Sequence, residues 1–208
     1  MTDALAEQER MKYEKLWANF PEYRDDPPVS AFIRWFLDYF QREFSSGETV
    51  IDFGCGTGRS ASFLKRAHLN VHLIDLCDNC LDVDIYLQTV GPNPELRFSQ
   101  ACLWDLPKEV QKEEWGICFD VLEHIPQSKI DATLKGMADR IEKGGIFGIS
   151  LLDDNFGEAV GEKLHLCIQP SEWWLEHISR FFSIDKVFSL KEEDIQGNQY
   201  MLLAVRPK

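Results

Sequence analysis

The stretch from Thr49 to Gly58 constrains the fold more than any other. A short apolar run, Thr49-Val50-Ile51-Asp52-Phe53, passes into Gly54-Cys55-Gly56-Thr57-Gly58 and then into a helical pattern through Leu64. A strand that stops at glycines and hands over to a helix brings backbone close to whatever lies at the carboxyl end of a sheet. That is where doubly wound α/β folds bind their ligands. Glycines so spaced also mark ordinary tight turns, so the rest of the chain has to decide.

Further strands are expected at Val71 to Asp75, Leu96 to Ala101, Trp115 to Phe119 and Ile146 to Leu151, with helical patterns between most of them. Crossovers of that kind make neighbouring strands parallel. The helix before the fifth strand has an apolar stripe of Ile130, Leu134, Met137 and Ile141, with Ser128 as its cap and Gly144 and Gly145 to end it. A loop from Asp153 to Gln169 leads to a helix at Ser171 to Phe181 and strands at Ile184 to Leu190 and Tyr200 to Val205. The connector Lys191 to Gln199 is too short and polar for a parallel crossover, so the last strand should be reversed. Before the glycine turn, a helix from Leu5 to Asn19 and a second one with Ile33, Phe36, Leu37 and Phe40 on one face, capped by Ser30, flank a proline-rich loop from Phe20 to Pro28.

A chain of 208 residues with 44% hydrophobic content closes one core, and a single domain is expected. The net charge of −13 disfavours nucleic acid as a partner, since that affinity rests on lysine and arginine displacing counterions from phosphates. No apolar run is long enough to span a bilayer, and Met1 to Arg10 is polar and acidic, so a cytoplasmic protein is expected. The six cysteines, several of them in apolar runs, read as reduced; Cys77 and Cys80 have metal-like spacing, but no second pair follows.

The residues around the glycines separate two nucleotide cofactors. A dinucleotide fingerprint places its third glycine three positions after the second, where this chain has Arg59. Here the glycines are 54, 56 and 58, and Asp52 stands before them, better placed for an ammonium than for a pyrophosphate. S-adenosylmethionine (SAM) has an ammonium, a carboxylate, a sulfonium and a ribose diol, and no phosphate. Asp75, which closes the second strand, can accept from both ribose hydroxyls, although it would serve a nicotinamide cofactor equally well.

Val50 to Gly58 resembles motif I of the class I SAM-dependent methyltransferases. The likeness continues through Ile74-Asp75, Cys102 to Pro107 and Phe119 to Pro126. The last stretch is similar to the small-molecule group that includes ubiquinone-biosynthesis O-methyltransferases. The resemblance implies a Rossmann-like α/β fold: a seven-stranded, mostly parallel sheet with a reversed final strand and helices on both faces. It implies a single methyltransferase domain over 1–208, with an N-terminal helical cap at 1–44 and a SAM-binding core at 45–208. It also implies methyl transfer from SAM to a small-molecule oxygen, nitrogen or carbon nucleophile.

The expected cofactor residues are Asp52, Gly54, Gly56, Gly58, Asp75 and Leu76, then Cys102, Leu103 and Phe119, with Arg24 pairing with the methionine carboxylate. Relatives often have an aspartate for the adenine amino group where this chain has Cys102; backbone at Leu103, or Asp105, would replace it. His124 and His165 are candidate bases, since imidazole titrates near neutral pH. An alternative gathers Asp120, Glu123, His124 and His165 around a divalent ion, as in some ubiquinone-pathway and small-RNA-end methyltransferases that the motif resembles. Tyr13, Trp17 and Tyr23 precede the motif on segments able to fold across the cofactor, and Trp17 and the Trp173-Trp174 pair are candidates for an acceptor pocket. A non-catalytic SAM-binding protein and a nicotinamide-dependent oxidoreductase remain as alternatives.

Overall fold

Every residue of β1 (Thr49–Phe53) is buried, as expected of a parallel strand covered on both faces. It pairs in parallel with β2 (Asn70–Asp75) on one side and β4 (Glu113–Phe119) on the other. β3 (Leu96–Gln100) extends the sheet beyond β2, and β5 (Ile141–Ser150) beyond β4, again in parallel. The final strand, β7 (Tyr200–Pro207), runs antiparallel between β5 and β6 (Phe182–Phe188). The order is β3-β2-β1-β4-β5-β7-β6. The computed structural model describes residues 3–24, 29–91, 95–154, 156–188 and 200–208. The expected connector Lys191 to Gln199, and Leu190 before it, lie outside them.

Alternation along the strands feeds two cores. On one face α2 (Val29–Phe40) and α3 (Ser60–Arg66) pack Phe32, Phe36, Phe40 and Leu64 on Val50, Leu73, Trp115 and Ile117. On the other, α5 (Ile130–Ala138) and α7 (Ser171–Ile178) pack Leu134, Met137 and Trp174 on Ile51, Cys118, Phe147 and Leu203. Each such side chain contributes roughly 1.5–3 kcal/mol through burial. α4 (Val83–Thr89) follows β2, and its Ile85 packs at the rim of the first core. Trp174 is fully buried and Trp173 stacks on His177 at 3.8 Å, so the tryptophan pair belongs to the helix packing rather than to an acceptor pocket.

Several local expectations change. α2 already includes Val29, so Ser30 is an internal residue of the helix. Ser128 lies in a 3₁₀ turn (Gln127–Lys129), and Lys129 holds the cap position of α5 without a side-chain bond. Ile141 opens β5, and Gly144 and Gly145 lie inside that strand. Their reason is strand approach: a side chain on Gly145 would meet the Gly116 carbonyl oxygen at 2.0 Å. The expected loop after β5 contains a short helix, α6 (Phe156–Val160), whose first amides, Phe156 N and Gly157 N, donate to Asp154 at 2.9 and 2.5 Å.

α1 (Ala4–Asn19) begins with Asp3 accepting from Leu5 N at 3.1 Å. Its partners lie on the loops that follow β2, β3 and β4. The Cys77 thiol donates to Arg10 O, Trp104 Nε1 donates to Asp3, and the Tyr13 hydroxyl meets His124. The helix therefore crosses the carboxyl edge of the sheet, over the point where the strand order reverses between β1 and β4.

Candidate cofactor and acceptor site

Two amides of the glycine turn, Gly54 N and Cys55 N, donate to Ile74 O at 2.8 and 2.9 Å. Asp75, at the end of β2, accepts from Gly56 N at 2.9 Å and from Cys77 N at 3.1 Å. One carboxylate thus ties the turn to the neighbouring strand and still faces the cavity beyond. Gly54 and Gly56 have φ of +76° and +49°, a region costly for other residues. A side chain on Gly54 would strike Val121 at 2.4 Å, whereas one on Gly56 would point into free space, with Trp17 nearest at 3.6 Å.

That space is a cavity of about 350 Å³ at the carboxyl edge of β1, β2 and β4. Of the residues expected from sequence, Gly54, Gly56, Asp75, Leu76, Leu103, Phe119, His124 and Arg24 line it. Asp52, Gly58, Cys102 and His165 do not. Asp52 shares the strand parity of Val50, so its side chain enters the core under α3 and accepts from the Ser60 hydroxyl; burial raises its carboxyl to about 7. Gly58 sits behind the turn, where Ile85 occupies the place of a side chain at 2.7 Å. Asp105 is exposed and outside the wall, leaving Leu103 and Trp104 as the residues there after β3. Trp104, Asp154 and Phe156 also line the cavity, and no sequence pattern marks Phe156, at the start of the short helix α6, as facing it.

Arg24 reaches the wall with its donors already engaged. They meet Trp17 O at 3.2 Å, Cys80 O at 2.8 Å and Asn79 O at 2.5 Å, with Asp82 at 3.7 Å. The guanidinium thus buttresses the loop before α4 instead of offering a free fork to a carboxylate. The wall otherwise carries Asp75, Asp120, Asp154, Glu22 and Glu9, the last paired with Lys12 at 2.5 Å. A pyrophosphate would meet these carboxylates without a free cation among the described residues of the wall. A phosphate-free nucleoside with a sulfonium and an ammonium fits, with Asp75 placed for a diol and Gly56 leaving room.

The two histidines stand edge to face, 4.6 Å apart. His165 Nδ1 lies 2.6 Å from Leu152 O, and since a carbonyl only accepts, that nitrogen bears the proton. His124 Nδ1 is 2.7 Å from the Tyr13 hydroxyl. Burial, then the neighbouring His165, lowers His124 to about 4, so it is neutral near pH 7. Glu123 joins three segments: its carboxylate takes Ser150 N at 2.5 Å and its carbonyl takes Leu166 N and Cys167 N. Burial and then Asp120 push its carboxyl well above the ordinary range. Among the described residues, the ligand-type atoms that converge within 4.8 Å are those of Cys55, Asp75 and Cys80, and the set Asp120, Glu123, His124 and His165 is not gathered in that way.

A mostly parallel sheet with a switch point over a glycine turn, an acidic residue closing the second strand and a cavity above both define a Rossmann-like α/β fold with a ligand-sized site at its switch point. The family model described as "Methyltransferase domain" matches residues 50–145. A curated relative, the ubiquinone biosynthesis O-methyltransferase of Hydrogenovibrio crunogenus, is 28% identical over 121 residues, covering 56% of this chain and 48% of its own length. The chain spans about half the length of that relative. Among solved structures, the 1,6-didemethyltoxoflavin-N1-methyltransferase of Burkholderia thailandensis, with 1,6-didemethyltoxoflavin and S-adenosylhomocysteine (SAH) bound, superposes with a TM-score of 0.73 at 14% identity, covering 96% of this chain and 87% of its own. The magnesium protoporphyrin IX methyltransferase of Synechocystis PCC 6803, with SAH bound, gives 0.63 at 20% identity, covering 86% and 81%. The chain thus matches the methyltransferase-domain model over residues 50–145 and shares the fold of these solved structures.

Proposed function

We propose that this chain transfers a methyl group from SAM to a small-molecule nucleophile, with SAH as the other product. The observation that carries the reading is the cavity over the glycine turn: Gly56 is open to it, Asp75 faces it, and among the described residues its wall has no free cation for a phosphate. SAM supplies an electrophilic methyl on a positively charged sulfur. Asp75 would hold the ribose diol, Leu76, Leu103 and Trp104 the adenine, and the backbone at Gly54 and Gly56 the methionine portion. Asp52 acts one layer behind, fixing α3 to the turn through Ser60.

The acceptor would enter between α1, α6 and the loop after β4, where Tyr13 and His124 line the wall. In-line transfer needs alignment above all, and a rigid wall supplies it. Where the acceptor must lose a proton, the neutral His124, held by Tyr13, is the nearest imidazole, and His165 positions it from behind. Residues 1–44 act as a cap on a core of 45–208 within one domain. Among the described residues no helix is long and apolar enough to cross a membrane. The six free cysteines suit a reducing compartment such as the cytoplasm.

Calorimetry with SAM, SAH and NAD tests the cofactor: SAM and SAH should bind and NAD should not. Incubation with methyl-labelled SAM and a metabolite extract tests catalysis. SAM binding without label transfer across broad extracts would make the chain a binder instead of a catalyst, and tight binding of NAD alone would overturn both.

A further inference from the structure

The two halves of the cavity differ in chemistry. One is the glycine turn with Asp75, Leu76 and Leu103; the other is built from rings and carboxylates on α1, the following 3₁₀ turn (Pro21–Arg24), the loop after β4 and α6. Tyr23 packs against Trp17 at 4.8 Å and against Phe156 at 5.2 Å between ring centres. Asp120 and Asp154 stand in the same wall.

Both carboxylates are held by neutral donors, which fix their oxygens. Asp120 accepts from the Tyr200 hydroxyl at 2.9 Å, and Asp154 from the Phe156 and Gly157 amides. Behind Asp120, the fully buried Glu123 carboxyl is pushed well above its ordinary range by burial and then by Asp120 itself. Among the described residues of the wall and α1, the positive side chains nearby are already matched, Lys12 by Glu9 and Arg24 by backbone carbonyls and Asp82. Burial raises the Tyr23 phenol, with Asp120 and then Asp154 adding to it, and the Tyr13 phenol shifts the same way under burial, Tyr23, Glu9 and Asp154. SAM brings one net positive charge, which leaves carboxylates in excess around whatever occupies the second half.

We infer that the acceptor is a cationic amine, held by Asp120 and Asp154 against the rings of Tyr23 and Phe156. The inference rests on SAM occupying the glycine-turn half. An aromatic face and a fixed anion both favour an ammonium, whereas a carboxylate or phosphate would meet like charge. In the reaction the ammonium gives its proton to solvent. The freed nitrogen lone pair forms the N–CH₃ bond while the S–CH₃ bond breaks with its pair on sulfur, giving a methylated amine and SAH.

The test uses the full-length protein saturated with SAH and three probes of one shape: choline, its neutral isostere 3,3-dimethylbutan-1-ol, and the anionic 3,3-dimethylbutanoate. Choline should bind at least about tenfold more tightly than the alcohol, and the carboxylate most weakly. Asp120→Asn and Asp154→Asn should each shrink that ratio while SAH affinity stays within about twofold, which also shows that the variants are folded. Equal affinity for choline and the alcohol overturns the inference, as does binding of Mg²⁺ without binding of choline. Failure of SAH itself to bind is a separate result, and it removes the SAM reading instead.

Discussion

Asp75 carries two duties, since the same carboxylate that faces the cavity also accepts from Gly56 N and Cys77 N. Asp75→Ala should therefore weaken SAH binding and also lower the melting temperature. Losing a hydrogen bond to a charged group costs about 1.5–3 kcal/mol, so calorimetry should read at least a tenfold rise in Kd. A normal Kd would remove Asp75 from the site. The two turn glycines should separate fold from binding. At Gly54 a methyl collides with Val121 at 2.4 Å, and Gly54→Ala should lose about 2–5 kcal/mol in urea unfolding through overpacking and positive-φ strain. At Gly56 the methyl meets open space, so Gly56→Ala should lose only about 1–2 kcal/mol of stability and show its main effect on SAH affinity. Similar unfolding curves for the two variants would contradict this division.

At the scale of elements, α1 is the piece whose position is set by polar contacts more than by the core. Its buried Ala6 and Leu16 belong to neither of the two large apolar clusters. Asp3 caps the helix at Leu5 N and also meets Lys129 at 2.6 Å and Trp104 at 3.1 Å, joining α1 to two loops of the carboxyl edge. Asp3→Ala should free the first turn of α1 and loosen the cap. Hydrogen exchange should show faster amides across residues 4–19 with unchanged protection in β1, β4 and β5, together with weaker SAH binding. Uniformly faster exchange through the sheet would mean that α1 is part of the core's cooperative unit.

For the whole molecule, two kinds of buried group set opposite pH limits. Burial lowers His72 to about 4, with Arg97 adding to it, and His124 is lowered to about 4 as well. Their folded-state values lie below the unfolded one, so the unfolded chain takes up protons first and stability falls as pH drops from about 6.5 toward 4. Asp52 runs the other way. Raised by burial to about 7, it favours the folded state when protonated, and stability is lost as pH climbs from the ordinary carboxylate range through 7. Each shift is worth at most about 3–4.5 kcal/mol. Urea midpoints should peak at mildly acidic pH, and Asp52→Asn, which keeps a hydrogen-bonding oxygen for Ser60, should raise the midpoint more at pH 8 than at pH 5. An equal effect at both would mean that Asp52 is not perturbed.

The sequence by itself determined the alternating α/β plan, the reversed last strand and the half of the site built on the glycine turn, because each is encoded locally. A strand, its turn and the acidic residue that closes the next strand lie within about 25 residues of one another. Strand parity also contained the answer for Asp52, which shares a face with Val50 and so had to point into the core. Tertiary structure alone decided the other half. Tyr13 meets His124 across 111 positions of chain, and Phe156 reaches Tyr23 from the short helix α6, whose five residues carry no periodic signal. The direction of Arg24 was likewise open until the carbonyls of Asn79 and Cys80 were in place to take its donors. A strand's pleat is a local property of the backbone, whereas the facing of rings and charges across a cavity depends on how separate elements dock.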